Sequence, residues 1–134
     1  MSEELQIPVT SDRDVVTARQ QGRSAALKAG FSLSEATLIA TAISELARNI
    51  VSYAHHGTVT LRPVHGHNGA AGLTIIAADS GPGILDLAQA LRDGYSSSGG
   101  LGLGLPGVRR LMDEFDIASR AGGGTTVTVT KWRP

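Results

Sequence analysis

Twelve consecutive residues, Ser96-Ser97-Ser98-Gly99-Gly100-Leu101-Gly102-Leu103-Gly104-Leu105-Pro106-Gly107, include five glycines and no charge. Such a run packs no core of its own and loses much backbone entropy when ordered, so something outside the chain is expected to order it. Phosphate suits the part. Glycines let peptide N–H groups close on an anion, and the segment that follows, Val108-Arg109-Arg110-Leu111-Met112, would open a helix whose positive end faces the same point. A flexible surface loop is the other reading of this stretch.

Embedded in the run is a formal G-x-G-x-x-G, Gly102 to Gly107, but its context excludes the familiar sites. A dinucleotide fold needs a buried strand before the first glycine, where Asp93-Gly94-Tyr95-Ser96-Ser97-Ser98 stands instead. A eukaryotic-type protein-kinase loop would carry valine where Arg109 lies, and no H-R-D follows. A Walker loop needs a lysine after its last glycine, and the only lysines are Lys28 and Lys131. Phosphate binding here must use backbone amides, arginines or a metal.

Three further groups have chemistry in them. Glu45 and Asn49 are four residues apart; Asp79-Ser80-Gly81-Pro82-Gly83 sets a carboxylate before a rigid turn; and Gly122-Gly123-Gly124-Thr125 follows a strand-like run. Taken singly, each has an ordinary reading. Glu45 could be an exposed helical glutamate pairing with Arg48, Asn49 a plain helical polar residue, and Asp79 a turn former. The histidines, His55-His56 and His65-Gly66-His67, have no third ligand nearby, so no metal site is expected on them.

These residues need elements to hold them. Leu5 to Thr10 alternates apolar and polar and contains Pro8, which suits an edge strand. Asp12 or Asp14 is expected to cap a helix that puts Val15, Ala18, Gly22, Ala25, Ala26 and Ala29 on one close-packing face and ends at Gly30. Ser32-Leu33-Ser34-Glu35 is a capping box, and it opens a long helix with the apolar stripe Ile39, Ala42, Ile43, Leu46, Ile50 and Tyr53. Glu45 and Asn49 lie together on the flank of that stripe. Thr58 to Val64 and Leu73 to Ala78 read as a hairpin whose second strand, apolar on both faces, is central. Asp86 to Arg92 is a short helix, and Phe115 to Ser119 with Thr125 to Trp132 form a second hairpin. The expected fold is α+β: a two-layer sandwich of a mostly antiparallel mixed sheet with helices on one face.

Composition narrows the function. The 134 residues, 41% apolar, are enough for one core, so one domain over residues 1–134 is expected. Twelve basic and twelve acidic side chains cancel, and aromatics are 4%, which argues against a nucleic-acid surface. Cysteine is absent, which removes disulfides and thiolate chemistry. No signal peptide and no membrane span are seen, so a soluble cytoplasmic protein is expected.

The order of the groups is more specific than any one of them: Glu45 with Asn49 on a helix, Asp79-x-Gly81-x-Gly83 after a central strand, Gly100-x-Gly102-x-Gly104 before a helix, and Gly122-x-Gly124-Thr125 before the last strand. Over nearly the whole chain this resembles the nucleotide site of the GHKL superfamily, the Bergerat-fold ATPases and kinases. The resemblance implies ATP and Mg²⁺ as cofactors. By it, Asp79 accepts a hydrogen bond from the adenine amino group, Gly81 and Gly83 let the backbone approach the purine, and Thr125 supports the same end. Asn49 gives an oxygen to Mg²⁺. Gly100, Leu101, Gly102, Leu103 and Gly104 form a lid with amides for the phosphates. Glu45 is the base that takes a proton from the group attacking the γ-phosphate.

Within these 134 residues no helical hairpin with a phospho-accepting histidine is expected before these groups, and no second domain beside them. The resemblance therefore narrows to the small bacterial serine/threonine kinases of partner switching, and among them to the switch kinases of the stressosome, through Ala42 to Ile50, Asp93 to Gly102, Leu105 to Phe115 and the terminal Lys131-Trp132. It implies STAS-domain scaffold proteins as substrates and a downstream phosphatase activated by direct binding. Two alternatives stay open. One is an anti-sigma-factor kinase, against which Tyr53 and Lys131-Trp132 weigh. The other is a nucleotide-gated binding module, in which ATP only sets the lid.

Overall fold

Ile7 and Val9 turn inward from β1 (Leu5–Val9), and Pro8 between them is tolerated because the strand has a neighbour on one side only. The computed structural model describes residues 4–66, 68–82, 104–120 and 122–134. After β1 come α1 (Asp12–Lys28) and α2 (Leu33–Asn49), packed against each other, then β2 (Gly57–His65), β3 (Ala71–Asp79), α3 (Gly104–Leu111), β4 (Glu114–Arg120) and β5 (Gly124–Trp132). The strands form one sheet in the order β1-β2-β3-β5-β4, and all four pairings are antiparallel. The mostly antiparallel sheet that was expected is found, with β3 in its centre.

Local chemistry explains the helix ends. The N-cap of α1 is Ser11, not Asp12 or Asp14, and its side chain makes no capping bond. Asp14 stabilises this end differently, accepting from the Thr10 N–H at 2.8 Å and from the Thr10 hydroxyl at 2.9 Å. At the other end Gly30 takes φ +96° and Phe31 N–H reaches back to the Ala26 carbonyl. The expected capping box opens α2: Ser32 Oγ accepts from Glu35 N–H at 3.1 Å while Glu35 Oε1 takes the Ser32 N–H at 3.4 Å. Close packing of the two helices depends on Gly22, where a Cβ would collide with Ile43 Cδ1.

The stripe of α2 is buried at Ile39, Ala42, Ile43, Leu46 and Ile50, but Tyr53 is 49% exposed and leaves the core it was expected to join. The reason is a π-helical turn at Ile50–Ala54, closed by His55 at φ +70°. Its i→i+5 winding is wider than that of an α-helix, so the phase of the stripe slips and Tyr53 turns outward. A second difference lies at α3, which begins at Gly104, four residues before Val108. Gly104, Leu105, Pro106, Gly107 and Val108 are all buried, and the helix packs on α2, so packing extends it into the glycine-rich end. Proline is harmless in a first turn. The helix expected over Asp86 to Arg92 lies outside the described residues.

Alternation divides the sheet. Val59, Leu61, Leu73, Ile75, Ala77, Val127 and Val129 face the helices in one core with Val15, Ile39, Ile43 and Leu46. Burial of each large aliphatic side chain there contributes about 1.5–3 kcal/mol. The opposite face carries Thr58, Thr60, Thr74, Thr126, Thr128 and Thr130 in register, with the Thr74 and Thr130 hydroxyls bonded at 2.8 Å. Among the described residues, helices therefore cover one face only.

Candidate functional site

The apolar face changes character at one end. Antiparallel register aligns Gly57 with Asp79, Asp79 with Thr125, and Thr125 with Ser119, so one row across β2, β3, β5 and β4 replaces the apolar row Val59, Ala77, Val127 and Ile117 beside it. A polar row on a core-facing side is costly to bury unless its groups are bonded. They are bonded.

Asp79 ends β3, and its Oδ1 accepts from Gly81 N–H at 2.9 Å and Thr125 N–H at 3.3 Å. Two backbone donors fix the carboxylate, while nothing among the described residues bonds its Oδ2. An ionised carboxylate held this way presents an acceptor-only edge to whatever lies above it. Beside it, Thr125 Oγ1 and Ser119 Oγ are 2.8 Å apart, and Ser119 Oγ donates to the Gly124 carbonyl at 3.3 Å.

Two glycines make this crowding possible. At Gly124, φ is +86° and a Cβ would overlap the Asp79 carbonyl, so the β4–β5 hairpin can lie against the Asp79 turn only with glycine there. The same hairpin is tied to that turn by Gly122 N–H on the Pro82 carbonyl at 2.8 Å. At Gly81, a Cβ would lie 2.6 Å from Ala54 Cβ in the π turn, so the missing side chain lets the end of α2 dock on the turn. The π turn thereby joins two parts of the chain, the end of β3 and the end of α2.

Glu45 and Asn49 lie on that last stretch of α2. Glu45 is only 5% exposed, so it sits in the core boundary and not on the solvent face. Asn49 Oδ1 is buried with no hydrogen-bond partner among the described residues. A buried amide oxygen left unbonded costs about 1–3 kcal/mol, which makes it a place where an outside donor or cation is expected. This oxygen fits Mg²⁺, which binds few protein oxygens and keeps water and phosphate for the rest.

The structure thus brings Asp79, Gly81 and Thr125 to one end of the sheet, places Glu45 and Asn49 on the helix docked there, and starts α3 at Gly104 against the same helix. Gly83, Gly100, Leu101, Gly102 and Leu103 lie outside the described residues. Sequence reasoning missed Ser119 and gave Gly57 no part in the site. The signal for Ser119 was present in the alternation: Phe115 and Ile117 are the inward positions of β4, and a hydroxyl occupies the next one. Among the described residues no group of three or more His, Asp or Glu is arranged to hold a metal, and no helix is long and apolar enough to cross a membrane.

Comparison with known proteins agrees with this fold. The family model of the Histidine kinase-like ATPase domain matches residues 8–131. The chain is 48% identical over 132 residues to Serine/threonine-protein kinase RsbT of Bacillus subtilis, covering 98% of each chain. It is 30% identical over 107 residues to the Anti-sigma F factor of Caldanaerobacter subterraneus, covering 75% of this chain and 73% of that one. Among solved structures, the RsbU and RsbW domains of Rv1364c from Mycobacterium tuberculosis superpose with a TM-score of 0.64 at 23% identity, over 98% of this chain and 33% of that longer one. The mycobacterial sensor histidine kinase MprB superposes at 0.55 with 15% identity, over 100% and 99% of the two chains. The last two likenesses concern the fold alone. From the family match and the full-length identity, the chain belongs to the histidine kinase-like ATPase family as an RsbT-like serine/threonine-protein kinase.

Proposed function

We propose that this chain, as one ATP-binding kinase domain over residues 1–134, transfers the γ-phosphate of ATP to serine or threonine on STAS-domain proteins of a stressosome. Released from them, it activates a downstream phosphatase by binding, in the cytoplasm of a bacterial cell. The observation that carries the chemical part is the buried Glu45 one helical turn from the unbonded Asn49 oxygen, on the helix docked against Asp79. Support for the partners comes from the relative named RsbT, 48% identical over 98% of its length.

In this reading Asp79 Oδ2 accepts from the adenine amino group, Gly81 and Gly83 admit the ring, and Thr125 contributes its hydroxyl to the same end. Asn49 would hold Mg²⁺, which supplies charge neutralisation at the β- and γ-phosphates. Backbone amides of Gly100, Leu101, Gly102, Leu103 and Gly104 close on the phosphates, with the N-terminal end of α3 behind them. Glu45 accepts the proton of the substrate hydroxyl as its oxygen attacks the γ-phosphorus, and the bond to the β–γ bridging oxygen breaks, leaving ADP.

The test is incubation with ATP, Mg²⁺ and a purified STAS-domain protein, with phosphoserine and phosphothreonine read by mass spectrometry. Stoichiometric modification supports the reading. Recovery of a sigma factor as the stable partner, with no STAS protein modified, would replace it with the anti-sigma alternative that the Anti-sigma F relatives represent.

A further inference from the structure

Ser119 is half-buried at the inward end of β4, in the polar row beside Thr125, and no role has been given to it so far. A serine hydroxyl has one proton and can accept as well as donate. Ser119 Oγ lies 3.3 Å from the Gly124 carbonyl, which can only accept, and 2.8 Å from Thr125 Oγ1, where either hydroxyl can donate; with the serine proton on Gly124, the proton shared with Thr125 is the one the threonine carries. The threonine hydroxyl is thereby committed as a donor into the protein. What it retains for a ligand is acceptance only.

Its neighbour has the same polarity. Thr125 is the register partner of Asp79, and the Thr125 N–H already bonds Asp79 Oδ1. Asp79 Oδ2 and Thr125 Oγ1 together form an acceptor-only edge at the end of the sheet. A base reaching that edge through a 6-amino group meets two acceptors with two N–H donors. A base reaching it through a 6-oxo group meets them with lone pairs.

We propose that Ser119 is a specificity-determining positioning residue: by fixing the proton of Thr125 it makes the base end of the site select 6-aminopurine nucleotides over 6-oxopurine nucleotides. The inference rests on the assignment of Asp79 and Thr125 to the base. Without Ser119 the Thr125 hydroxyl is free to rotate and donate to a 6-oxo group, and one hydrogen bond regained is worth roughly fivefold to tenfold in affinity.

The experiment measures dissociation constants for ATP and for inosine triphosphate by calorimetry, with Mg²⁺ present. Wild type is expected to favour ATP; Ser119→Ala is expected to lower that preference about fivefold to tenfold, and Ser119→Thr to restore it. Ser119→Cys keeps the branching of the side chain with a slightly larger, weakly hydrogen-bonding group and serves if the alanine variant does not fold; it must shift the preference the same way. In a Thr125→Val background, Ser119→Ala must leave the preference where it is. A merely structural role would weaken both nucleotides alike. An unchanged preference in Ser119→Ala, or a shift that persists without the Thr125 hydroxyl, overturns the proposal while the ATP site stands. A wild-type protein that binds neither nucleotide overturns the site assignment itself.

Discussion

Replacing Asp79 in two different ways separates its work in the fold from its work on the ligand. In Asp79→Asn the amide oxygen can keep the two bonds now made by Oδ1, to Gly81 N–H at 2.9 Å and Thr125 N–H at 3.3 Å. The NH₂ group then stands where Oδ2 was, so the edge facing the ligand turns from acceptor to donor. Loss of a charged hydrogen bond there is worth about 1.5–3 kcal/mol, roughly a 10- to 150-fold rise in the ATP dissociation constant. Stability falls by only about 1 kcal/mol, since two backbone bonds lose charge assistance but survive. In Asp79→Ala both bonds go; the turn is half-exposed and water can reach part of it, so a loss of about 2–3 kcal/mol is expected, or about 6–12 °C in Tm for a domain of this size. Calorimetric ATP titration and thermal unfolding of the two variants measure both quantities. An asparagine variant that binds ATP within threefold of wild type would refute the ligand half of this reasoning. Equal Tm values for the two variants would refute the other half.

The remaining expectations concern packing, capping and pH. Gly124→Ala combines a left-handed φ of +86° with a clash on the Asp79 carbonyl, so it should cost about 1–3 kcal/mol in stability and weaken ATP binding together, read by the same two assays. Ser32→Ala removes one half of the α2 capping box and should lower stability by about 1 kcal/mol with ATP affinity unchanged, because the cap is at the far end of the helix from Asn49. Asp14 is held below its ordinary 3.8, first by the Thr10 N–H and then by the Thr10 hydroxyl. A carboxylate depressed in the folded state contributes stability above its unfolded pKa and loses it as pH falls through the folded one. The Tm difference between wild type and Asp14→Asn should therefore be present at neutral pH and vanish in acid below 3.8.

What the sequence carried and what it did not can be argued from particular residues. Ser32 with Glu35, the alternation in Leu5 to Thr10 and the apolar run Leu73 to Ala78 are local signals, each set by neighbours a few positions away, and each element formed as they implied. Asp79 and Thr125 were legible as separate motifs, but their direct bond was not, because it depends on strands 46 residues apart falling into register. Tyr53 was misplaced for a related reason. Periodicity assumes a constant winding, and the π turn that docks Ala54 on Gly81 changes the winding where the site needs it. Ser119 escaped notice since the alternation of β4 points it inward but gives a lone serine no role until its neighbour across the sheet is known. The early start of α3 also reflects tertiary packing, with glycine and proline helical because α2 covers them.

The central claim is that Glu45 acts as the base in phosphoryl transfer from ATP. The most direct measurement is single-turnover transfer of labelled γ-phosphate to a STAS-domain protein at saturating ATP, comparing wild type with Glu45→Gln. The account predicts a rate lower by about 10²–10⁴ in the variant, with ATP still bound. An undiminished rate would contradict it.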